Sequence, residues 1–358
     1  MNSTETGHRA ALAGKISTVL GTIAPASSGP TLMHEHLLID ARHLESRPDD
    51  PEAQAIYKAP YEPTLLGRLV FDGMSNRDNT VMDDIGSAVA EIAHFKKHGG
   101  SILDEVTSGG IGRDPKGLAE ISRQSGVHVV MGASYYVEAA HPAEVAALDE
   151  GQLADKIATD VLVGADGTGI KAGIIGEVGC SWPLSQAEIK VLRASAQAQK
   201  RTGASLSIHP GRSEAAPFEI CEVLAKAGAD LTRTVMCHTE RTIFDREKLS
   251  ALARAGIVIE YDMFGHEFSY YWPAPHISAP NDGGRMDAIG YLVEQGFENQ
   301  IVLSHDNDVK MWLSQFGGPG YGHILRNIVP RLIKRGIPEA MVQKFLVETP
   351  RRLLTIQA

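Results

Sequence analysis

The chain has 358 residues, of which 43% are hydrophobic, enough to bury a large core, and its formal net charge is −10 at pH 7. An acidic chain with no run of lysine and arginine lacks the basic surface that binds a phosphate backbone, so we do not expect nucleic acid as a partner. No stretch of 18 apolar residues occurs, and residues 1–14 contain no sustained apolar segment, so neither a membrane span nor a secretory signal is expected. These features predict a soluble, cytoplasmic protein.

Eight short apolar segments alternate with helical patterns along the chain. In chain order, the predicted strands cover residues 31–36, 101–104, 127–132, 172–177, 205–209, 234–238, 257–261 and 301–304. Their apolar residues do not alternate with polar ones, which is typical of parallel strands that are covered on both faces. Eight β-α units predict an α/β protein that folds as one (β/α)8 TIM barrel domain over residues 1–358. Residues 15–22 are expected to form a small extra strand before the barrel.

Capping residues mark the ends of the predicted helices. Ser185 and Glu188 form a capping-box pattern before a helical run that stops at Gly203. Asp83 and Gly99 are expected to begin and end another helix. Further helical patterns cover residues 245–255, 285–295 and 322–334.

Two connections are too long to be simple turns. Residues 44–80 follow the first predicted strand and residues 262–284 follow the seventh, so both are expected to overhang the carboxyl ends of the strands. The second connection contains the aromatic residues Phe264, Phe268, Tyr270, Tyr271 and Trp272. So many aromatic side chains in one loop favour a pocket wall or a dimer contact over a solvent-exposed loop.

Residues with metal-binding side chains stand where the predicted strands end. His34 and His36 are two positions apart, which places both imidazoles on one face of an extended segment, where they can bind one ion. The full candidate set is His34, His36, Glu177, His209, His238 and Asp306. In a TIM barrel the carboxyl ends of the strands meet on the face that carries the active site. The pattern therefore predicts a metal centre.

The candidate set is large enough for two divalent cations. The histidine pair and the aspartate make one site, the two later histidines make a second, and Glu177 is expected to bridge them with its two oxygens. Lys171, the other candidate bridge, lies six residues earlier, about 20 Å along a strand at about 3.3 Å per residue, and is expected at the opposite end of the barrel. Because the three cysteines show no C-x-x-C spacing, a disulfide framework and a thiolate cluster are not expected. Imidazole and carboxylate donors favour zinc, with manganese, cobalt or iron as alternatives.

The expected chemistry is hydrolysis by a hydroxide that bridges the two cations. Coordination lowers the pKa of water from about 15.7 towards about 7, which makes hydroxide available as a nucleophile near neutral pH. Asp306 is the expected catalytic residue, because it can take the proton of the hydroxide and pass it to the leaving group. Asp308 is the competing acid, and His305 is expected to face away from the site.

Five side chains are candidates for substrate binding. Arg212 can aim its planar guanidinium across the barrel mouth at an anionic group, although a solvated or ion-paired arginine is the alternative. Tyr136 and Arg241 are weaker candidates for the same task, and Tyr270 and Trp272 are expected to close over an apolar part of the substrate. These residues predict a small amide that bears a carboxylate or sulfonate, or a lactone with an anionic substituent.

The ligand pattern, in this order on these strands, resembles that of the amidohydrolase superfamily and, within it, the phosphotriesterase family. The resemblance extends from residues 18–21 to residues 348–350 and is carried by the stretches 175–184, 208–212 and 320–324. It implies an amidohydrolase-type barrel, two divalent cations, a small-molecule substrate and a homodimer.

Glu177 departs from this family, because the phosphotriesterases carry a carboxylated lysine at the matching position. The departure favours hydrolysis of a small amide, such as an N-acyl amino acid, or of a lactone or ester. The alternatives are a non-catalytic ligand-binding protein on the same barrel and a promiscuous phosphotriesterase or lactonase.

Overall fold

The computed structural model describes residues 3–358, in which eight parallel strands form one sheet that curls into a nearly closed barrel. The strands are β1 Ile16–Thr18, β2 Gly21–Ile23, β3 Thr31–Glu35, β4 Ile39–Asp40, β5 Val81–Met82, β6 Ile102–Glu105, β7 His128–Ala133, β8 Ile174–Gly179, β9 Leu206–His209, β10 Thr234–Met236, β11 Val258–Tyr261 and β12 Ile301–Leu303. The barrel follows the order β3, β6, β7, β8, β9, β10, β11, β12. The predicted TIM barrel is confirmed, and each predicted barrel strand has its counterpart. The prediction of a single domain covers residues 1–358, of which residues 1 and 2 lie outside the described part, and it stays a prediction.

Helices pack around the barrel and alternate with its strands. Within residues 3–358 the α-helices are α1 Ser3–Leu12, α2 Pro51–Lys58, α3 Leu66–Leu69, α4 Ile85–Lys97, α5 Pro115–Ser125, α6 Ala143–Ala147, α7 Glu150–Leu162, α8 Gln186–Thr202, α9 Ala216–Lys226, α10 Arg246–Arg254, α11 Asp282–Glu294, α12 Val329–Lys334, α13 Glu339–Gln343 and α14 Thr349–Leu354. Across this described part, every helix falls short of the length and apolarity that crossing a membrane requires.

The helix boundaries agree with the capping signals, apart from small shifts. The capping box of Ser185 and Glu188 is present at the start of α8. The start predicted at Asp83 is wrong by one residue, because the side chain of Asp84 accepts the hydrogen bond from the backbone N–H of Ser87 and caps α4. Helix α11 begins earlier than predicted, since Asn281 is its N-cap.

The segment before the barrel is an antiparallel hairpin of β1 and β2, where the sequence predicted one strand. Gly21, with a φ of 113°, lies at the turn, and this conformation strongly favours glycine. Ile16 on β1 packs with Leu353 and Leu354 of α14 in the same buried cluster as Val130. This apolar cluster fills the barrel below the carboxyl ends of the strands, where the polar residues lie.

Glu35 joins the two strands between which the barrel closes, β3 and β12. Its buried carboxylate accepts hydrogen bonds from Ser304 Oγ at 2.8 Å, from His305 through the backbone N–H at 2.9 Å and Nδ1 at 2.6 Å, and from the Asn307 N–H at 3.3 Å. The His34 N–H in turn donates to Ser304 Oγ at 3.0 Å. These bonds hold the residues that follow β12 beside the first pair of histidines, and they confirm that His305 faces away from the site.

Candidate metal centre and substrate pocket

The six candidate metal ligands meet at the carboxyl end of the barrel. They are His34 on β3, His36 directly after it, Glu177 on β8, His209 at the end of β9, His238 after β10 and Asp306 after β12. Five are buried, and Asp306 is partly exposed. Lys171 precedes the first residue of β8 and therefore lies at the other end of that strand, as predicted.

The first set of donor atoms belongs to residues from opposite ends of the chain. Asp306 Oδ1 lies 3.4 Å from His34 Nε2 and 3.3 Å from His36 Nε2. Glu177 Oε1 lies 3.4 Å from His36 Nε2. Two imidazole nitrogens and two carboxylate oxygens therefore surround one small volume.

The second set of donor atoms meets at the other oxygen of the same glutamate. Glu177 Oε2 lies 2.9 Å from His209 Nδ1 and 3.6 Å from His238 Nε2, and these two nitrogens are 2.9 Å apart. Glu177 Oε1 thus faces His36, whereas Oε2 faces His209 and His238 and lies 3.8 Å from His34 Nε2. This is the arrangement that a carboxylate shared between two cations requires.

Neighbouring groups orient the histidines toward this centre. His238 Nδ1 lies 2.9 Å from one oxygen of Asp262, whose other oxygen accepts the His238 N–H at 2.8 Å, so Nε2 is left for the centre. Thr107 donates its hydroxyl proton to Glu105 at 2.6 Å and therefore accepts at 2.8 Å from His36 Nδ1. That tautomer leaves the lone pair of His36 Nε2 free.

The backbone at two of the ligands is left-handed. His238 has a φ of 50° and Asp306 a φ of 52°. Such a conformation costs on the order of 1–3 kcal/mol at a residue other than glycine and concentrates at functional sites. Both residues lie in the short segments that follow β10 and β12, where the chain leaves the barrel.

The charges of the centre suit cations. Burial alone would raise the pKa of Glu177, but His34 and the contacts of His209, His238 and His36 hold that pKa well below its usual range. Burial opposes the ionised form of Asp306 too, yet His238 and His34 hold its pKa well below the usual value. Within residues 3–358, His34 is buried with both ring nitrogens lacking a hydrogen-bond partner. Two carboxylates and four imidazoles that converge in this way fit two divalent cations.

A further group of potential metal ligands faces the second ring nitrogen of His34. His34 Nδ1 lies 3.7 Å from an oxygen of Glu260 and 3.7 Å from an oxygen of Asp262, and the Cys237 thiol belongs to the same group. Cys237 Sγ is also 3.1 Å from Ser207 Oγ. All three cysteines in the described chain are free and buried.

A cavity opens on the metal centre and is bordered by both long connections, as predicted. All five predicted substrate-binding side chains line it, namely Arg212, Tyr136, Arg241, Tyr270 and Trp272. Tyr136 OH lies 3.2 Å from His209 Nδ1, whereas Tyr270 is 41% exposed at the rim. The aromatic residues of the second connection are therefore pocket-wall residues, apart from Phe264, which is fully buried.

Two guanidinium groups flank the ring of Tyr271 in this cavity. Arg212 Nε donates to Tyr271 OH at 3.2 Å, and the Cζ atoms of Arg212 and Arg241 lie 5.6 and 5.9 Å from the ring centroid. Arg241 donates to the Pro210 carbonyl at 3.1 Å and lies 3.2 Å from His209 Nε2. Among the described residues, the hydrogen bonds of these guanidiniums go to neutral groups, and Asp308 in the same cavity also acts on Arg212 electrostatically.

Several cavity residues were not among the predicted substrate-binding set. Tyr271 is one, although its aromatic neighbours signalled it, and His43 and His266 are two others for which no local signal existed. Asp308, which the sequence offered as a competing acid, also lines the cavity. Burial and the neighbouring Asp306 raise the pKa of Asp308 to about 7.

Comparison with known proteins gives consistent matches along almost the whole chain. The model of the phosphotriesterase family matches residues 14–354. N-acetyltaurine hydrolase of Homo sapiens is 43% identical, over 97% of this chain and 99% of that protein. The crystal structure of a resiniferatoxin-binding protein from Rhodobacter sphaeroides is 38% identical, with a TM-score of 0.92 over 96% of both chains. The crystal structure of a lactonase from Listeria monocytogenes is 25% identical, with a TM-score of 0.78 over 96% of this chain and 100% of that one.

Proposed function

The chain belongs to the phosphotriesterase family of hydrolases, and on that premise we propose that it cleaves the amide bond of a small N-acylated amino sulfonate or amino acid. The observation that carries this proposal is the pair of guanidiniums of Arg212 and Arg241 in the same cavity as a converging set of metal ligands. A substrate with an anionic end and a scissile bond a few atoms away matches that arrangement. N-acetyltaurine, on which the human relative is named to act, is such a molecule.

The metal centre of this proposal holds two divalent cations, with zinc as the proposed ion. The proposed ligands are His34, His36 and Asp306 for one cation, His209 and His238 for the other, and one oxygen of Glu177 for each. Such cations, when bound, polarise a carbonyl group and lower the pKa of a coordinated water. Imidazole and carboxylate donors support zinc, and manganese, cobalt and iron stay as alternatives.

Proton transfer falls to the aspartates beside the centre. Asp306 is the proposed catalytic residue, since it can take the proton of the attacking water and deliver it to the leaving nitrogen. An amide needs this delivery, because an amine leaves readily only after its nitrogen is protonated. Asp308 lines the same cavity and stays the competing donor.

Substrate binding is proposed to use charge at one wall and aromatic groups at the rim. Arg212 and Arg241 hold the sulfonate or carboxylate by charge-assisted hydrogen bonds. Tyr136 borders the reacting bond, while Tyr270 and Trp272 cover the apolar part of the substrate. The exposed aromatic cluster of Phe71 and Tyr270, whose rings are 5.5 Å apart, is also where a second copy of the chain would pack, and the homodimer and the cytoplasmic location stay predictions.

The first experiment measures turnover and metal content together. Protein freed of metal with a chelator and reloaded with zinc is assayed on N-acetyltaurine, an N-acetyl amino acid, a lactone and a phosphotriester. We expect turnover of an anionic amide and two zinc ions per chain. Binding of the amides without turnover would support the alternative of a ligand-binding protein, and turnover of the lactone or phosphotriester alone would favour the second alternative. Full activity with one ion would refute the pair of cations.

A matched pair of variants tests the bridge. Glu177→Gln keeps the volume but removes the charge that faces both donor sets, so metal content and activity should both fall by at least tenfold. Lys171→Ala, at the other end of β8, should retain both. The opposite pattern would make the lysine the bridge.

The anion-binding wall is tested by a change of geometry at constant charge. Arg212→Lys loses the bidentate fork, so kcat/KM for N-acetyltaurine should fall about tenfold, or about 1.4 kcal/mol in transition-state stabilisation. N-acetylethanolamine, which replaces the sulfonate with a neutral hydroxyl, is the control substrate and should respond little. Equal losses on both substrates would show that Arg212 has a structural role only.

A further inference from the structure

His43 borders the cavity of the metal centre, and neither ring nitrogen makes a hydrogen bond of good geometry, although the backbone carbonyl of Asp40 lies close enough to act on the ring. It lies in the long connection that follows β3, just after the short strand β4. Both nitrogens are also shielded from bulk water. Leaving a buried polar group without a partner costs on the order of 1–3 kcal/mol, so its presence beside a functional cavity calls for a partner that arrives with the ligand.

His43 is linked to the metal centre through the ring of Tyr136. Its ring meets that of Tyr136 edge-on, with 5.4 Å between the centroids, and Tyr136 meets His209 in the same manner at 4.8 Å. Burial raises the pKa of Tyr136, and Arg212 and Arg241 lie close enough to oppose that shift. Tyr136 therefore has His43, a proposed metal ligand and the anion-binding wall around it.

His43 is suited to act as a neutral imidazole. Burial lowers its pKa, and the backbone carbonyl of Asp40 opposes this shift only in part. A neutral imidazole has one N–H donor and one nitrogen that accepts a hydrogen bond. The acceptor nitrogen can receive a hydrogen bond from an N–H group. An ether or ester oxygen carries no proton, so it cannot donate a hydrogen bond to that nitrogen.

We infer that the acceptor nitrogen of His43 receives the N–H of the scissile amide, so that His43 selects amides over esters of the same shape. The inference rests on the proposed function and deepens it. With the anionic end at Arg212 and Arg241 and the carbonyl group at the metal centre, the N–H of an N-acyl amino sulfonate lies between them, on the wall of Tyr136 and His43. A site that pairs a substrate N–H discriminates strongly against an analogue without it, because the buried acceptor then stays unpaired.

The test uses two substrates that differ at one atom. N-acetyltaurine and the acetyl ester of 2-hydroxyethanesulfonate have the same shape, but the ester has an oxygen in place of the N–H. We expect His43→Phe, which keeps a ring and removes both nitrogens, to lower kcat/KM for the amide at least tenfold and to change kcat/KM for the ester less than twofold. His43→Gln, whose side-chain carbonyl is an acceptor, should recover part of the amide rate.

His266 provides the matched control, because its Nε2 is the other partnerless imidazole nitrogen among the described cavity residues. It stacks on Trp312 with 3.9 Å between the centroids, so His266→Phe should change the two substrates alike. Thermal unfolding of each variant verifies that it is folded.

The outcomes separate this inference from the proposed function. Wild-type protein that cleaves neither substrate would refute both. Wild-type protein that cleaves the amide, with variants of His43 that leave the ratio of amide to ester rates unchanged, would overturn the role of His43 alone. A fall in that ratio with His43→Phe and its partial recovery with His43→Gln would support it.

Discussion

Replacement of Glu35 by glutamine tests how the barrel is closed. The Glu35 carboxylate is fully buried, and its Oε1 accepts three hydrogen bonds while Oε2 accepts one from the Asn307 N–H. In Glu35→Gln, the carbonyl oxygen can take the place of Oε1, but the amide NH2 then faces the Asn307 N–H, a second donor. One bond is lost, and the other three no longer have a charged acceptor.

The expected loss follows from these four bonds. A hydrogen bond to a charged group contributes about 1.5–3 kcal/mol to the free energy of unfolding, and a buried donor without a partner costs about 1–3 kcal/mol. We therefore expect Glu35→Gln to lower the free energy of unfolding by about 2–4 kcal/mol. That is a large share of the roughly 5–15 kcal/mol typical of a folded domain.

Urea unfolding of the metal-free protein, followed by circular dichroism, measures this loss without a contribution from metal binding. Glu294→Gln is the matched control, since Glu294 is an exposed glutamate at the end of α11, and it should change the free energy of unfolding by less than about 0.5 kcal/mol. A Glu35→Gln variant that unfolds at the wild-type urea concentration, with the same m-value, would refute the view that these bonds hold β3 and β12 together.

Three further predictions concern the site. Asp262→Asn should weaken metal binding about 10- to 100-fold, because the Asp262 carboxylate orients His238 from 2.9 Å. Competition with a chelator measures this loss, and replacement of the exposed Asp287 by asparagine is the control that should leave metal binding unchanged. Gly179→Ala should lower both the melting temperature and kcat/KM, because a Cβ there would lie 2.1 Å from the Val137 nitrogen beside Tyr136. Gly290→Ala is the control and should lower neither, since the space around its Cβ is open. Equal melting temperatures for the two variants would contradict the prediction. Addition of zinc to metal-free protein should raise the melting temperature, and the rise should increase with the zinc concentration. An unchanged melting temperature would argue against a metal centre.

The barrel and the convergence of the six candidate metal ligands could be predicted because their signals are local. His34 and His36 are neighbours in sequence, and each later ligand ends an apolar run, so the rule that parallel strands share one carboxyl face brings them together. Helix α8 was predicted from its capping box for the same reason. The hairpin of β1 and β2 was read as one strand, because only the glycine at its turn distinguishes the two forms.

The cavity wall could not be predicted in the same way, since its contacts join residues far apart in sequence. Arg212 and Tyr271, for example, are 59 positions apart, and nothing near either residue indicates the other. No sequence motif marks His43, and only the folded structure reveals that its ring nitrogens are buried without hydrogen bonds of good geometry. Absence of a partner is a property of the folded environment and cannot be read from a residue type.

The ligand positions could be predicted and the cavity wall could not, and this difference indicates which residues distinguish this chain from barrels with the same ligands. The metal centre is built from strand ends, whose positions follow from the fold, and it supplies chemistry that serves amides, lactones and phosphotriesters alike. Selectivity must therefore come from the side chains that meet the rest of the substrate. In our proposals they are the guanidiniums beside Tyr271 and the imidazole of His43, all held by the loops that follow β3, β9, β10 and β11. A change of substrate would accordingly require changes in these loops and none among the metal ligands.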